Sequence, residues 1–257
     1  MSRVLRAVWP PVVFGAFFLV AWELAVVAFD WKPYFLPKPS QIWAEFVDNR
    51  ELIWRSARVS GLNAFVGLVA GTLLGVAVSF LMVRFRLLND MVQPVAIAVN
   101  AIPIFVLVAV FNNMFSLTSE VPRRLMVTMV VYFIVLVNVA KGLREVQPTH
   151  AELLRSYAAS PRQVLTKARI PNAVPFLFTA LKIAAPAAVI TAFVAEYFGG
   201  SQNGLGSRIT SNLTANTAAA WAYVLGACLL GLAFYTLSIV MENINNSWGI
   251  SPGGGPT

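Results

Sequence analysis

Six stretches of the chain read as near-continuous apolar runs, at residues 9–29, 62–83, 91–111, 122–143, 175–198 and 219–241. A helix needs about 20 such residues, at 1.5 Å rise each, to cross the hydrocarbon core of a bilayer. The pattern predicts an all-α membrane protein of about six transmembrane helices in a single domain over 1–257. The first run starts after Arg3 and Arg6, lacks a small-x-small cleavage site and carries Glu23, so it reads as a retained helix rather than a signal peptide.

Between the first two runs, Pro37-Lys38-Pro39-Ser40 is a helix-start signal with Ser40 at the N-cap. Gln41 to Ser60 follows, with apolar Ile42, Trp43, Phe46, Val47, Leu52, Ile53 and Trp54. Two readings are open here: an amphipathic helix in the membrane interface, with tryptophans at headgroup depth, or the opening turns of the second span. The tail at 251–257 has no apolar content and is expected to be disordered.

Composition supports the membrane reading. Of the 257 residues, 58% are hydrophobic and only 12% charged, against about a quarter charged in soluble domains. The net charge of +8 does not indicate a nucleic-acid partner, because Lys and Arg are scattered at run ends instead of gathered on one face. With cytoplasmic termini, the short Arg84-Phe85-Arg86 link lies inside, and Phe115 to Glu120 outside carries no basic residue. His150 is the only histidine, no nucleophile–base arrangement is visible and no Gly-rich phosphate loop occurs. The chain is therefore expected to be non-catalytic, with no metal or cofactor of its own. Cys228 is the only cysteine and reads as a packed thiol.

Polar residues inside the runs are candidates for a pathway or for helix contacts. Asn100 and Pro103 interrupt the third run, and irregular backbone at that depth is tolerated against protein or water. Asn100 and then Thr191 are the first candidates for lining, with Pro103, Lys182 and Glu196 after them. For Lys182 the open alternatives are snorkelling or pairing; for Glu196, holding the Gly199–Gly206 loop; for Glu23, a helix–helix contact. Asn63, Ser79 and Asn138 read as interhelical hydrogen-bonding residues. Gly67, Gly71 and Gly75 recur every fourth residue, a stripe for close helix packing.

The loop at 145–174 is the most informative segment. A first short helix is predicted over 149–157. A second begins with Ser160 as N-cap and Pro161 at the first helical position, carries Lys167 and Arg169 late, and is expected to stop at Pro171 before Pro175 opens the next span. Leu153, Leu154, Tyr157, Val164 and Leu165 give the pair an apolar side suited to a partner's groove or to lipid headgroups.

Glu152-Leu-Leu-Arg-Ser-Tyr-Ala-Ala-Ser160, followed by Arg169-Ile-Pro-Asn-Ala-Val-Pro175, resembles the cytoplasmic signature loop of binding-protein-dependent ABC importer permeases. That loop reads Glu-Ala-Ala, three residues, Gly, nine residues, Ile, one residue, Leu-Pro. Glu152-Leu153-Leu154 takes the Glu-Ala-Ala place, Ala158 the Gly, Ala168 the Ile and Ile170-Pro171 the Leu-Pro, with spacing kept. Leucines for alanines, Ala158 for Gly and Ala168 for Ile are departures, and Ala tolerates φ > 0 poorly. Tyr34-Phe-Leu-Pro-Lys-Pro-Ser40, Trp22-Glu23, Leu181-Lys182-Ile183, Ala195-Glu196 and Gly204-Leu205-Gly206 are similar to the nitrate/sulfonate/taurine branch.

The resemblance implies a type I importer permease with a cytoplasmic coupling-helix loop, in a bacterial inner membrane. It implies two permease chains forming a pathway, an external solute-binding protein, and a pair of ATP-binding subunits that hold ATP and Mg. Those subunits would dock on Glu152, Leu153, Leu154, Tyr157, Ala158, Ser160, Pro161, Val164, Leu165, Ile170 and Pro171. The implied solute is a small oxyanion such as nitrate, sulfonate, taurine or bicarbonate, or a pyrimidine-type vitamin precursor. The competing expectation is an ion-coupled secondary transporter or channel, which wants acids near a span centre.

Overall fold

The computed structural model describes residues 2–100, 102–115, 119–146, 152–154, 156–199 and 203–246. Among them the regular structure is entirely helical. The elements are α1 (Ser2–Ala28), α2 (Pro39–Asp48), α3 (Arg50–Arg84), α4 (Arg86–Asn100), α5 (Ile104–Met114), α6 (Val121–Arg144), α7 (Pro161–Val164), a π-helical turn (Leu165–Arg169), α8 (Ile170–Phe198), α9 (Leu205–Asn212) and α10 (Thr217–Asn246). Five stretches are long and apolar enough to cross a bilayer: Trp9–Ala28, Arg50–Arg84, Val121–Arg144, Pro161–Phe198 and Thr217–Ile244. The run at 91–111 is carried by two helices, α4 and α5. Pro103 has no N–H and disfavours helical backbone in the residue before it, which accounts for a break at that point.

The centre of the molecule is α3, α6 and α8. Gly67, Gly71 and Gly75 of α3 face Val127, Val131 and Val135 of α6, and a Cβ on Gly75 would lie 2.9 Å from the Tyr132 carbonyl oxygen. On the other side of α6, Ala180, Ala184, Ala188 and Ala192 of α8 join the same valines in one buried cluster. Small residues at four-residue spacing let the backbones approach closely, the main attractive device between helices when lipid surrounds them. Ser79, on the glycine side of α3, donates to Gly75 O and Leu136 O, so its hydroxyl is satisfied inside the interface.

The 41–60 segment is split between two elements: α2 is a separate ten-residue helix, and Arg50 already begins the α3 span. Ser40 is not the N-cap. Proline is well suited to the first helical position, so the helix starts one residue earlier, at Pro39, with Lys38 extended before it. Ser40 instead gives its N–H (3.0 Å) and hydroxyl (2.7 Å) to the Glu23 carboxylate of α1. Glu23 thus supplies, from another helix, the acceptor an N-terminal turn needs. In the α1–α2 link, Asp30 is left-handed (φ 49°), and the Lys32 ammonium bonded to it at 2.8 Å holds its carboxyl below the usual range.

Two further expectations change. Pro171 does not stop the second loop helix; α7, the π turn and α8 run on through Pro171, Pro175 and Pro186. The Ile170 N–H reaches back five residues to Leu165 O, a wider turn that brings the chain to the N–H-free proline without ending the helix. Cys228 is exposed on α10 rather than packed, because α10 buries only one side against α8, α9 and α2. The tail at 251–257 lies outside the described residues.

Candidate functional site

The 145–174 loop is anchored at both ends. Asn172, in the first turn of α8, donates from Nδ2 to Gly142 O (2.7 Å) and Glu145 O (2.9 Å), satisfying carbonyls that the end of α6 leaves free. Gly142 allows the approach: a Cβ there would lie 2.8 Å from the Phe176 ring. Ala168 of the π turn is buried, and Ile170 packs on the α3–α6–α8 core.

Its two short helices are locally determined. Ser160 is extended (φ −66°, ψ 157°); its Oγ accepts the Gln163 N–H at 3.4 Å, and Gln163 Oε1 accepts the Ser160 N–H at 2.7 Å. Pro161 takes the first helical position, as its sequence predicts. Upstream, residues 152–154 and 156 are helical. The Ala159 N–H returns to Leu154 O at 3.0 Å, closing the helix across Ala158, which is left-handed with φ 51°. This is a Schellman ending in which alanine does what glycine does at lower cost. The residue the signature reserves for glycine therefore keeps the glycine's backbone.

The anchored frame leaves apolar groups uncovered. Leu153 is 55% and Tyr157 77% exposed. Glu152, Ala158, Ser160 and Pro161 are also exposed, while Leu154, Val164, Leu165 and Pro171 are half-buried. The 147–151 stretch, with Thr149 and His150, and Arg155 lie outside the described residues.

At the opposite end of the bundle, buried polar side chains tie four helices together. Ser60 Oγ of α3 donates to Glu196 Oε2 of α8 at 2.7 Å and accepts the Leu205 N–H of α9 at 2.9 Å; Gly206 N–H also reaches Glu196 at 3.2 Å. One turn along α3, Asn63 donates to Glu120 at 2.6 Å and accepts from Arg124 Nε at 3.1 Å, while Arg123 pairs with Glu120 at 2.8 Å. Arg123 is only 2% exposed, so Arg123 and Arg124 are elements of the helix packing and not free surface charges. Gly204 leaves room for the Glu196 carboxylate, which a Cβ at that position would meet. Glu196 thus holds the α8–α9 link, one of the two roles its sequence position suggested.

Of the other pathway candidates, Thr191 is buried in the packing of α8. Lys182 is paired: its Nζ lies 2.9 and 2.8 Å from the two carboxylate oxygens of Glu242 on α10. Pro103 precedes α5, and nothing is described of the Asn100 side chain. Ser60, Glu120 and, in the separate pair with Lys182, Glu242 were not singled out from the sequence. A lone acid near the end of the last run, Glu242, was the available signal for a partner of Lys182. No group of three or more potential metal ligands occurs among the described residues.

Comparison with known proteins agrees on one family. The family described as "binding-protein-dependent transport system inner membrane component" matches residues 67–247. The formylaminopyrimidine transport permease protein ThiX of Halalkalibacterium halodurans is 29% identical over 254 residues, 96% of this chain and 98% of that protein. A probable ABC transporter permease protein of Haemophilus influenzae is 27% identical over 79% of this chain and 81% of its own length. The bicarbonate transport system permease protein CmpB of Synechocystis is 25% identical over 72% and 70% respectively. Among solved structures, an amino acid ABC transporter with histidines superposes with TM-score 0.63 at 12% identity, covering 77% of this chain and 95% of that one. The inward-facing methionine transporter MetNI gives TM-score 0.58 at 18% identity, over 75% and 97%.

Proposed function

The chain belongs to the binding-protein-dependent transport system inner membrane component family, and from that premise we propose that its 145–174 loop couples a pair of ATP-binding subunits to the membrane helices. It is a multi-pass permease subunit of an ABC importer for small solutes, with a type I importer fold. Hydrolysis of ATP falls to the partner subunits. A second permease chain completes the pathway, an external binding protein delivers the solute, and the loop and both termini face the cytoplasm.

The observation that carries this reading is the exposure of Leu153 and Tyr157 on a loop whose far end Asn172 ties to the end of α6. A partner groove that takes these side chains gains apolar burial worth about 1.5–3 kcal/mol each. Motion of that groove passes to the bundle through the second short helix. On one side Asn172 grips α6, and on the other the π turn runs directly into α8. The solute is a small oxyanion, such as nitrate, a sulfonate, taurine or bicarbonate, or a pyrimidine-type vitamin precursor; the relatives named for formylaminopyrimidine and bicarbonate support this class.

The test is gentle extraction of the tagged chain and mass spectrometry of what purifies with it. An ATP-binding subunit in stoichiometric amount is expected, and its loss in Leu153→Asp and Tyr157→Asp variants that stay folded in the membrane. A chain that purifies alone and moves solute in liposomes without ATP overturns the reading in favour of a secondary carrier.

A further inference from the structure

The link between α1 and α2, with the Tyr34–Ser40 motif that follows from it, lies at the other end of the bundle from the coupling loop. α1 crosses the hydrocarbon with Trp9–Ala28, 20 residues that rise about 30 Å, the thickness of that layer. Phe29 is thus the first residue past its boundary. Beyond α2 the chain enters α3, where Ser60 bonds Glu196 late in α8 and Asn63 bonds Glu120 just before α6. This is the end of the bundle opposite the 145–174 loop.

The link is a fixed corner. The Trp31 N–H reaches Val26 O at 3.1 Å and the Asp30 N–H reaches Val27 O at 3.3 Å, a Schellman closure of α1 with Asp30 left-handed. The Phe35 and Leu36 N–H groups both return to Lys32 O. Trp31 stacks on Phe29 at 5.4 Å and meets Phe35 edge to face at 5.6 Å. Ser40 bonds Glu23, five residues before the end of α1, and Glu45 of α2 accepts from Asn216, just before α10. α2 is therefore strapped to both spans within about 8 Å of their ends.

What this corner presents is aromatic and uncharged. Tyr34 is 79% exposed, and Phe29, Phe35 and, on α2, Trp43 are openly exposed as well. The only acid and base from Phe29 to Phe35 are Asp30 and Lys32, which pair with each other at 2.8 Å. A contiguous exposed apolar surface marks contact with a partner or a membrane. Two observations favour the membrane. The rings start where the span leaves the hydrocarbon, the level at which Trp and Tyr are enriched because their apolar bodies carry polar edges. The face also has no net charge with which to steer and orient a soluble partner. We propose that the 29–36 corner is an interfacial anchor, seated among the phospholipid headgroups and glycerol esters of the leaflet opposite the loop. Through the Glu23–Ser40 bond it sets the depth of α1 and α2 together.

The experiment uses the full chain in nanodiscs of phosphatidylethanolamine and phosphatidylglycerol. In a Cys228→Ser background, Tyr34→Cys, Phe35→Cys and, as the mid-span reference, Phe18→Cys each carry an NBD fluorophore. Emission is quenched in turn by phospholipid with a nitroxide on its headgroup, by phospholipid with a nitroxide midway along an acyl chain, and by iodide in the buffer. At positions 34 and 35 the headgroup nitroxide is expected to quench about two-fold or more better than the acyl one, with the order reversed at position 18. Replacing two rings, in Phe29→Ser with Trp31→Ser, should raise iodide quenching at position 34 several-fold; an unchanged value overturns the proposal. Strong iodide quenching with little effect of either lipid means that the rings stand in water, open to an external protein, and overturns it. Weak quenching by all three means that a second copy of the chain covers the corner, and overturns it too. Should Tyr34→Cys fail to fold, Phe35→Cys decides.

Discussion

The Ser60 hydroxyl bridges three helices: it donates to Glu196 of α8 at 2.7 Å while accepting the Leu205 N–H of α9 at 2.9 Å. Glu196 is 1% exposed, so each of these bonds replaces water that cannot reach the site. Removing the hydroxyl in Ser60→Ala orphans a buried N–H and takes one of two donors from Glu196. The expected loss is about 1–3 kcal/mol. In a chain of this size that is about 2–4 °C of Tm per kcal/mol, read from thermal unfolding in detergent. An unchanged Tm would show that the bridge contributes nothing net.

Glu196 itself separates geometry from charge. Glu196→Gln keeps a carbonyl oxygen able to accept from Ser60 and Gly206, and should retain most of the stability. Glu196→Ala leaves Ser60 and Gly206 N–H without that acceptor and opens a void beside Gly204, whose backbone lies against the carboxylate. The alanine variant should lose at least 2 °C more than the glutamine variant in the same assay. Equal losses would mean that the carboxylate charge, not its acceptor geometry, is what the site requires.

Ala158 holds φ 51° at a cost of about 1–2 kcal/mol for an L residue. Ala158→Gly removes the cost in the folded loop and raises the freedom of the unfolded one, which offsets part of the gain. The helix end closed by the Ala159 N–H to Leu154 O should become more persistent. Hydrogen exchange at Ala159 should slow about three-fold or more in the glycine variant. Faster exchange would mean that the loop gains more from the restricted alanine than it loses in strain.

The α3–α6 seam sets a steric limit. A Cβ on Gly71 would sit 2.6 Å from Thr128 O and 2.7 Å from Val131 Cβ, both on the facing helix. Because one of these atoms is backbone, a rotamer change cannot relieve the clash. Gly71→Ala should cost about 1–3 kcal/mol, and Gly71→Val should reduce folded protein in the membrane several-fold. Gly61, whose Cβ would meet only the Leu230 side chain at 3.4 Å, is the control position where alanine should be tolerated.

How legible these features were depends on the sequence distance over which each is determined. The Ser160 N-cap with Pro161 after it and the Gly67–Gly71–Gly75 stripe are local patterns, and the chain adopts them as written. Pro171 misled, because a proline predicts a helix stop only if the preceding turn is α; a five-residue π turn lets the helix pass. Ala158 misled for a related reason: side-chain preference was set against a turn that the anchored helices on either side impose. The acid of Glu23 and the hydroxyl of Ser40 were each visible, but their pairing across 17 residues depends on how α1 meets α2. Nothing local links Asn63 to Glu120 or Lys182 to Glu242, since those contacts span 57 and 60 residues and arise only once the bundle is assembled.

The Lys182–Glu242 pair gives the last test, because each side chain alone is a charge within an apolar span. The side chains are 30% and 22% exposed, so the interior cost of breaking a buried pair, about 3–5 kcal/mol, must be discounted for screening at the open side. Lys182→Met alone should lose about 1–2 kcal/mol by stranding the carboxylate, and Glu242→Gln alone a similar amount by stranding the ammonium. The double variant strands neither, so its loss should be smaller than the sum of the two singles, a coupling of at least about 1 kcal/mol. Strict additivity would mean that the two charges are held by other partners in the membrane. Transport adds a separate readout. If Lys182 served the solute directly, the double variant would fold well yet lose uptake. If the pair only joins α8 to α10, stability and uptake should recover together.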